Sequence, residues 1–379
     1  MIPTSQGLLW LLFILAANLP FLEAQFPSAS PPEFVAPEVH ADRTVTFHLR
    51  APDARKVVVW GEWMPQGYGH NMTVDGQGVW SATLGPLRPD IYLYAFAVDG
   101  VRLPDPSNRQ VKNGYPGLSS ILEVPGPEAE FLMLRDVPHG ALHVHYYHSR
   151  ASQIMRRVYV YTPPGFGRSP RHAYPALYLL HGSWDTDADW PGVGRASIIL
   201  DNLIAQRRAV PMLLVMPDGH PFPSFEPSTR GRNLALLERE LDEDLLPLIE
   251  RLYSASRQAK DRAIAGCSMG GTQALHIGLR HLNRFAAIGV MSAPGDVPFS
   301  DPFPKALAAV LDQRAEVNRR LRLFWIACGR DDNLLLRARE VKDALAAHGL
   351  RHSWRETEGA HNWMTWRRYL AELAPLLFR

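Results

Sequence analysis

Between residues 38 and 125, apolar and polar positions alternate in short runs, "RTVTFHLRAP", "KVVVWGEW", "GVWSATLGPL" and "DIYLYAFAVDG", separated by turn residues. Successive side chains of a strand point to opposite faces, so this pattern predicts half-buried strands, and short alternating runs separated by turn signals predict a β-sandwich. From about Asp136 the pattern changes. "RRVYVYTPPGF", "ALYLLHGS", "PMLLVMPDG", "RAIAGCS", "AAIGVMSA" and "RLFWIACG" are apolar throughout, and helical patterns such as "GRASIILDNLIAQRR" and "ELDEDLLPLIERLYS" lie between most of them. Strands without a polar face, alternating with helices, predict a mainly parallel sheet covered on both sides. Ligands on such sheets collect at the carboxyl ends of the strands.

Ahead of the alternating region, an apolar stretch from Leu8 to about Leu22 ends in small and polar residues near Ala24. It is short for a membrane span and suited to a secretory signal, although no Lys or Arg precedes it. The expectation is an exported protein, secreted or periplasmic, without stable membrane insertion; an uncleaved anchor is the other reading. The expected organisation is a signal over 1–24, a Pro/Ser-rich linker over 25–37, the sandwich over 38–125, a connector over 126–135 and an α/β unit over 136–379. With 379 residues, 46% hydrophobic, 21% charged and a formal net charge of +2, the chain can build two full cores. It has no basic stretch, so a nucleic-acid partner is not expected. The two cysteines, Cys267 and Cys328, each end an apolar strand and are expected as buried free thiols. Asn71-Met72-Thr73 is a glycosylation sequon.

The chemistry concentrates in Gly266-Cys267-Ser268-Met269-Gly270, a G-x-S-x-G between an apolar strand and a helical pattern. A serine becomes a useful nucleophile when its oxygen is held clear of the backbone and a base reaches it; a sharp strand-to-helix turn does the holding. Downstream, "LRLFWIACGRDDNLL" ends a strand and opens into a loop with Asp331 and Asp332, and "HSWRETEGAHNWMTWRRYL" presents His361 before a helix. Serine, aspartate and histidine in this order, each after a strand, match the order of the α/β-hydrolase fold. An oxyanion then needs backbone N–H donors: Met269 after the nucleophile, and Ser183, or alternatively Gly182, in the loop after "YLLHG".

"YLLHGSWDTDADWPGVGRASIILDNLIAQ", "GCSMGGTQAL", "WIACGRDDNLL" and "EGAHNWMTWRRYL" together resemble the enterochelin-esterase-like or esterase D-like hydrolases, most closely the feruloyl esterases of carbohydrate esterase family 1. The resemblance covers about residues 140–379. It implies ester hydrolysis through an acyl-serine, without metal or organic cofactor, and it places the acid at the third position after the glycine of "CGRDD", hence Asp332. Acetyl-xylan, siderophore, S-formylglutathione and mycolyl-transfer enzymes share the pattern, so it bears less on substrate. The oxyanion loop "HGSWDTDADW" departs from the family's glycine-rich form, with Trp184 and Asp185 where small residues are common. Residues 38–125 resemble early-set, immunoglobulin-like modules related to family 48 carbohydrate-binding modules through "VVVWGEW", "GVWSATLGPLRPDIYLYAFAVDG" and "LPDPSN", which implies an immunoglobulin-like β-sandwich. Trp60, Trp63, Trp80 and Tyr92 alternate along its strands, a spacing that favours core or interface packing over glycan stacking.

Aromatic residues near the site supply candidates for an acyl pocket: Trp184 beside the oxyanion loop, Phe222 and Phe225 in "PDGHPFPSFEPSTRGRN", and Trp363 and Trp366 after His361. The last two equally suit packing of the final helix on the sheet. His143, His145 and His148 lack a carboxylate at ligand spacing, and no metal is expected. The expected function is an exported serine esterase on a small-molecule or polysaccharide ester, with feruloyl or acetyl esters of plant polysaccharide foremost. The alternatives are a siderophore or lactone esterase, with Arg195, Arg230 or Arg232 receiving an anionic substrate, and a non-catalytic carbohydrate-binding protein on a hydrolase scaffold.

Overall fold

The computed structural model describes residues 37–379 except 66–67, 115–116, 168–172, 223–226, 295–306, 308–309 and 311. The expected signal segment, all but the last residue of the linker, and Phe225 therefore lie outside the described residues. Among the described residues, ten strands make the N-terminal unit: β1 (Glu38–Val39), β2 (Val45–Arg50), β3 (Val57–Gly61), β4 (His70–Asn71), β5 (Thr73–Val74), β6 (Val79–Leu84), β7 (Asp90–Val98), β8 (Val101–Leu103), β9 (Val111–Lys112) and β10 (Ser119–Val124). They form two antiparallel sheets, in the orders β1-β2-β6-β5 and β4-β3-β7-β10-β9, with β8 paired to β7.

The alternation seen in the chain decides which side chains fill the sandwich. Val45, Phe47 and Leu49 of β2 face Val57 and Val59 of β3 and Tyr92, Tyr94 and Phe96 of β7 in one core. Of the four noted aromatics, Trp80 and Tyr92 are buried, Trp63 stacks on Phe47, and the Arg102 guanidinium lies over Trp60. They pack the unit and its surface rather than forming an exposed stacking platform.

Strand β7 is buried on both faces over most of its length. Its even positions belong to the sandwich core, whereas Ile91 and Leu93 join the core of the following unit. Full burial of such a side chain contributes roughly 1.5–3 kcal/mol, so a strand shared in this way ties the two units together. The stretch expected as a connector adds to the joint: Pro127–Leu132 is a short 3-10 helix whose Ala129 and Leu132 are buried, and Asn202 Nδ2 donates to the carbonyls of Phe131 and Met133 at 3.0 Å.

The second unit runs β11 (Ala141–His148), β12 (Met155–Thr162), β13 (Ala176–Leu180), α1 (Ala196–Ala205), β14 (Leu213–Pro217), α2 (Arg230–Glu240), α3 (Leu246–Tyr253), β15 (Arg262–Cys267), α4 (Met269–Arg280), β16 (Ala287–Met291), α5 (Arg314–Arg320), β17 (Leu323–Gly329), α6 (Leu335–Ala347), β18 (Ser353–Thr357) and α7 (Trp363–Leu373). One turn of π-helix, Leu241–Leu245, joins α2 to α3. The sheet order is β11-β12-β14-β13-β15-β16-β17-β18; the pairings of β11 with β12 and β12 with β14 are antiparallel and the rest are parallel. Helices α2 to α6 cover one face and α1 and α7 the other, so both faces are apolar. On β13, Tyr178 and Leu180 face the first layer and Leu177 and Leu179 the second. This double burial is the reason the strands carry no polar face in sequence.

Candidate active site

Ser268 stands alone between the end of β15 and the start of α4, with φ 52° and ψ −117°. A non-glycine residue there costs on the order of 1–3 kcal/mol, and the surroundings impose it: Ser268 N–H donates to the Met291 carbonyl at 2.8 Å, and the Ser268 carbonyl accepts from Thr272 N–H at 3.0 Å. The flanking glycines allow the close approach. A Cβ on Gly266 would lie 2.5 Å from the Gly270 carbonyl, and one on Gly270 would lie 2.5 Å from the His181 carbonyl oxygen. The turn can form only where these backbones meet without side chains.

His361, in the loop after β18, brings Nε2 to 2.9 Å from Ser268 Oγ. Its Nδ1 is 3.0 Å from both oxygens of Asp332, the loop carboxylate after β17. The Asp332 side chain is fully buried, and Leu334 N–H donates to it at 2.8 Å. Burial alone would raise its pKa, but the hydrogen bond and charge of His361, together with the Leu334 amide and the Ser292 hydroxyl, hold it below the ordinary carboxylate range. Asp331 is exposed and uses its backbone N–H on the Gly359 carbonyl. The geometry thus separates two adjacent aspartates: Asp332 meets His361, and Asp331 faces outward. Trp366 meets the His361 ring edge-on at 5.1 Å, limiting where the imidazole can swing.

Ser183 and Met269 line the same cleft as Ser268 and His361, a space of about 260 Å³. Met269 opens α4, so its amide lies at the positive end of the helix, and among the described residues neither it nor the Ser183 amide donates to a backbone carbonyl. The Ser183 carbonyl accepts from His220 Nε2 at 2.8 Å. Burial, with the neighbouring His181, pushes the His220 pKa down to about 4, which keeps this ring neutral. The His220 carbonyl in turn accepts from buried Arg156 at 2.9 Å, and Arg156 pairs with buried Glu240 at 3.2 Å. His220 was not singled out in the sequence, although its place just after β14, at the carboxyl edge of the sheet, is the signal that could have found it.

The aromatic candidates separate. Trp184 is 44% exposed and forms a wall of the cleft, which Arg230, Leu234, Pro294 and Asn333 help to close. Trp363 does not line it: at 3% exposure it packs edge-on against Trp190 and Trp366, and its indole N–H points to Asp185 at 3.4 Å. Its period on α7 places it in the helix-to-sheet layer, which corrects the substrate-contact expectation. Phe222 lies beneath the Arg232 guanidinium, 3.8 Å from ring centroid to carbon. Arg195 pairs with Glu123 at the joint between the units, away from the cleft. His143 and His145 face Tyr253. Cys267 and Cys328 are buried and unpaired, and burial pushes the Cys328 thiol up to about 12.

A hydroxyl, an imidazole and a buried carboxylate in line, beside two amides at the carboxyl edge of a doubly covered parallel sheet, define the class as the α/β-hydrolase type. Residues 149–377 match the esterase family, described as "Putative esterase", and the chain belongs to that family. It is 31% identical over 350 residues, 90% of its length, to the endo-1,4-beta-xylanase/feruloyl esterase of Xylanibacter ruminicola, of which it covers 46%. It is 24% identical over 219 residues, 56% of its length, to the iron(III) enterobactin esterase of Escherichia coli, of which it covers 51%. The chain therefore spans about half the length of these curated relatives. Among solved structures, the enterobactin esterase of Shigella flexneri superposes with a TM-score of 0.64 at 22% identity, over 88% of this chain and 92% of that one. A ferulic acid esterase from Anaeromyces mucronatus gives 0.59 at 23%, over 68% and 98%. At these identities the structural likeness establishes the fold.

Proposed function

We propose that this chain is a serine carboxylic-ester hydrolase that works through an acyl-Ser268 intermediate. The observation that carries the reading is the continuous contact from Ser268 Oγ to His361 at 2.9 Å and from His361 to Asp332 at 3.0 Å. As Ser268 attacks the ester carbonyl, His361 takes its proton and then gives it to the leaving alcohol oxygen. Asp332, ionised across the neutral range, orients the ring and stabilises the imidazolium. The carbonyl oxygen becomes an oxyanion between the amides of Met269 and Ser183. Water, deprotonated by His361, then releases the acid and restores Ser268.

For substrate, the best-supported class is an ester attached to sugar, feruloyl or acetyl groups on plant polysaccharide. The exposed face of Trp184 supports an aromatic acyl group, and the likeness to the xylanase/feruloyl esterase of Xylanibacter ruminicola points the same way. The apolar stretch from Leu8 to Leu22 supports export to where such polymers occur. A catecholate trilactone is the second reading, favoured by Arg230 in the cleft wall. The test is turnover of p-nitrophenyl acetate, methyl ferulate, acetylated xylan and an enterobactin-type trilactone, with Ser268→Ala as the blank. Preference for ferulate supports the first class and preference for the trilactone the second. An undiminished rate in Ser268→Ala would overturn the acyl-enzyme, and no turnover of any ester would favour a carbohydrate-binding role.

A further inference from the structure

The loop that carries Ser183 holds two buried carboxylates whose cation comes from the other unit of the chain. Lys112, at the end of the short edge strand β9 of the sandwich, extends its ammonium to 2.8 Å from Asp185 and 3.3 Å from Asp189. Its side chain is 9% exposed, and the two aspartates are buried. Among the described residues, both aspartates have their ion pair with Lys112, while Arg157 goes to Asp187 at 2.7 Å. We infer that Lys112 is a positioning residue for the oxyanion loop, so that the sandwich is a working part of the active site.

The placement of each carboxylate supports this. Asp189 accepts from Thr186 N–H at 2.6 Å and from the Thr186 hydroxyl at 3.2 Å, closing the second turn of the loop. Asp185 closes the first turn, its N–H donating to the Gly182 carbonyl at 3.2 Å. Its carboxylate lies so near that a Cβ on Gly182 would be 2.9 Å from it and 3.7 Å from the Ser268 Cβ. The lysine charge therefore acts within one residue of the proposed donor. Unneutralised, two buried carboxylates four positions apart would repel each other, and either one takes up a proton or the loop that carries them moves toward water; both alter the hydrogen bonds that shape its turns. The sandwich also approaches the next residue closely: a Cβ on Gly114 would lie 2.6 Å from the Lys112 ammonium and 2.9 Å from the Trp184 carbonyl oxygen. One edge of the sandwich thus sets both the Ser183 donor and the Trp184 wall.

The inference rests on the reading of Ser183 as an oxyanion donor, and the test separates the two. The full chain carrying Lys112→Met or Lys112→Arg is compared with wild type by steady-state turnover of p-nitrophenyl acetate, by the rate at which a fluorophosphonate labels Ser268, and by amide hydrogen exchange. In Lys112→Met, kcat and the labelling rate are expected to fall about 10- to 100-fold with KM within about twofold, because a displaced donor is missed chiefly in the transition state. Exchange should accelerate at residues 183–189 above the rest of the chain, and Lys112→Arg should recover most of the kcat. An unchanged kcat in folded Lys112→Met, or faster exchange spread evenly over the chain, would overturn the inference. If Lys112→Met fails to fold, Gly114→Ala, which keeps the charge but whose methyl would meet the Lys112 ammonium at 2.6 Å and so displace it from the two aspartates, takes its place with the same expected and overturning results. If wild type turns over no ester and Ser268 stays unlabelled, the esterase reading fails, while exchange at 183–189 still decides whether Lys112 holds the loop.

Discussion

Arg367 of α7 and Asp90 of β7, 277 residues apart, meet at 2.8 Å with both side chains essentially excluded from water. The guanidinium also donates to the carbonyls of Val193 and Ile91, its buried Nε–H has no acceptor among the described residues, and Arg368 also reaches the Asp90 carboxylate. A buried pair of this kind contributes little by its attraction alone, but removing one partner leaves the other charge stranded. The helix that follows His361 is thereby anchored on the sandwich.

Arg367→Met is accordingly expected to destabilise the protein by about 3–5 kcal/mol. Urea unfolding followed by tryptophan fluorescence checks this. Because β7 is shared between the two cores, wild type should unfold in one transition, and two well-separated transitions would contradict the shared strand.

Asp332→Asn should lower kcat by about 10³- to 10⁴-fold, since an amide favours the wrong imidazole tautomer and leaves the imidazolium unsupported. Asp331→Asn, at an exposed position, should leave kcat within about twofold. Steady-state kinetics on p-nitrophenyl acetate distinguishes them, and the reverse order would show that the other carboxylate orients His361.

Gly270→Ala should destabilise by about 1–3 kcal/mol and lower turnover, because the added methyl meets the carbonyl oxygens of His181 and Leu180 at 2.5 and 2.6 Å. Backbone, unlike a flexible side chain, can yield only by opening the turn at Ser268. Thermal unfolding and the Ser268 labelling rate would read the two effects separately.

Burial pushes the Glu62 carboxyl up to about 7, opposed by the Leu93 amide, with Arg367, Asp90 and Lys112 as its charged neighbours. Its folded pKa lies above the unfolded value of 4.5, so its stabilising contribution is complete below about pH 4.5 and is lost as pH rises through 7. Glu62→Gln, which keeps an acceptor for the Leu93 amide, should gain stability over wild type by roughly 1–3 kcal/mol at pH 8 and much less at pH 5. Urea midpoints at the two pH values check the sign.

Trp184→Ala should raise KM for methyl ferulate about tenfold while leaving p-nitrophenyl acetate nearly unaffected, because an acetyl group is too small to gain from stacking on the indole. Equal losses on both substrates would place Trp184 in loop support.

Much of this protein was determined locally by its sequence. Period-two alternation marks a strand with one wet face, continuous apolar runs mark a doubly covered sheet, and the glycines around Ser268 announce a turn that admits no side chain. Those are properties of a strand or turn and its immediate neighbours, so a single chain records them. Tertiary structure decided what depends on direction between distant elements. Asp331 and Asp332 are the same residue type one step apart, and only the packing of the β17 loop against His361 turns one inward. Trp363 and Trp366 lie one helical turn apart, yet one fills the layer behind Asp185 and the other meets the His361 ring. Lys112 carried no signal because its meaning lies in two aspartates more than seventy positions away, brought within reach only when the edge of the sandwich closes over the oxyanion loop.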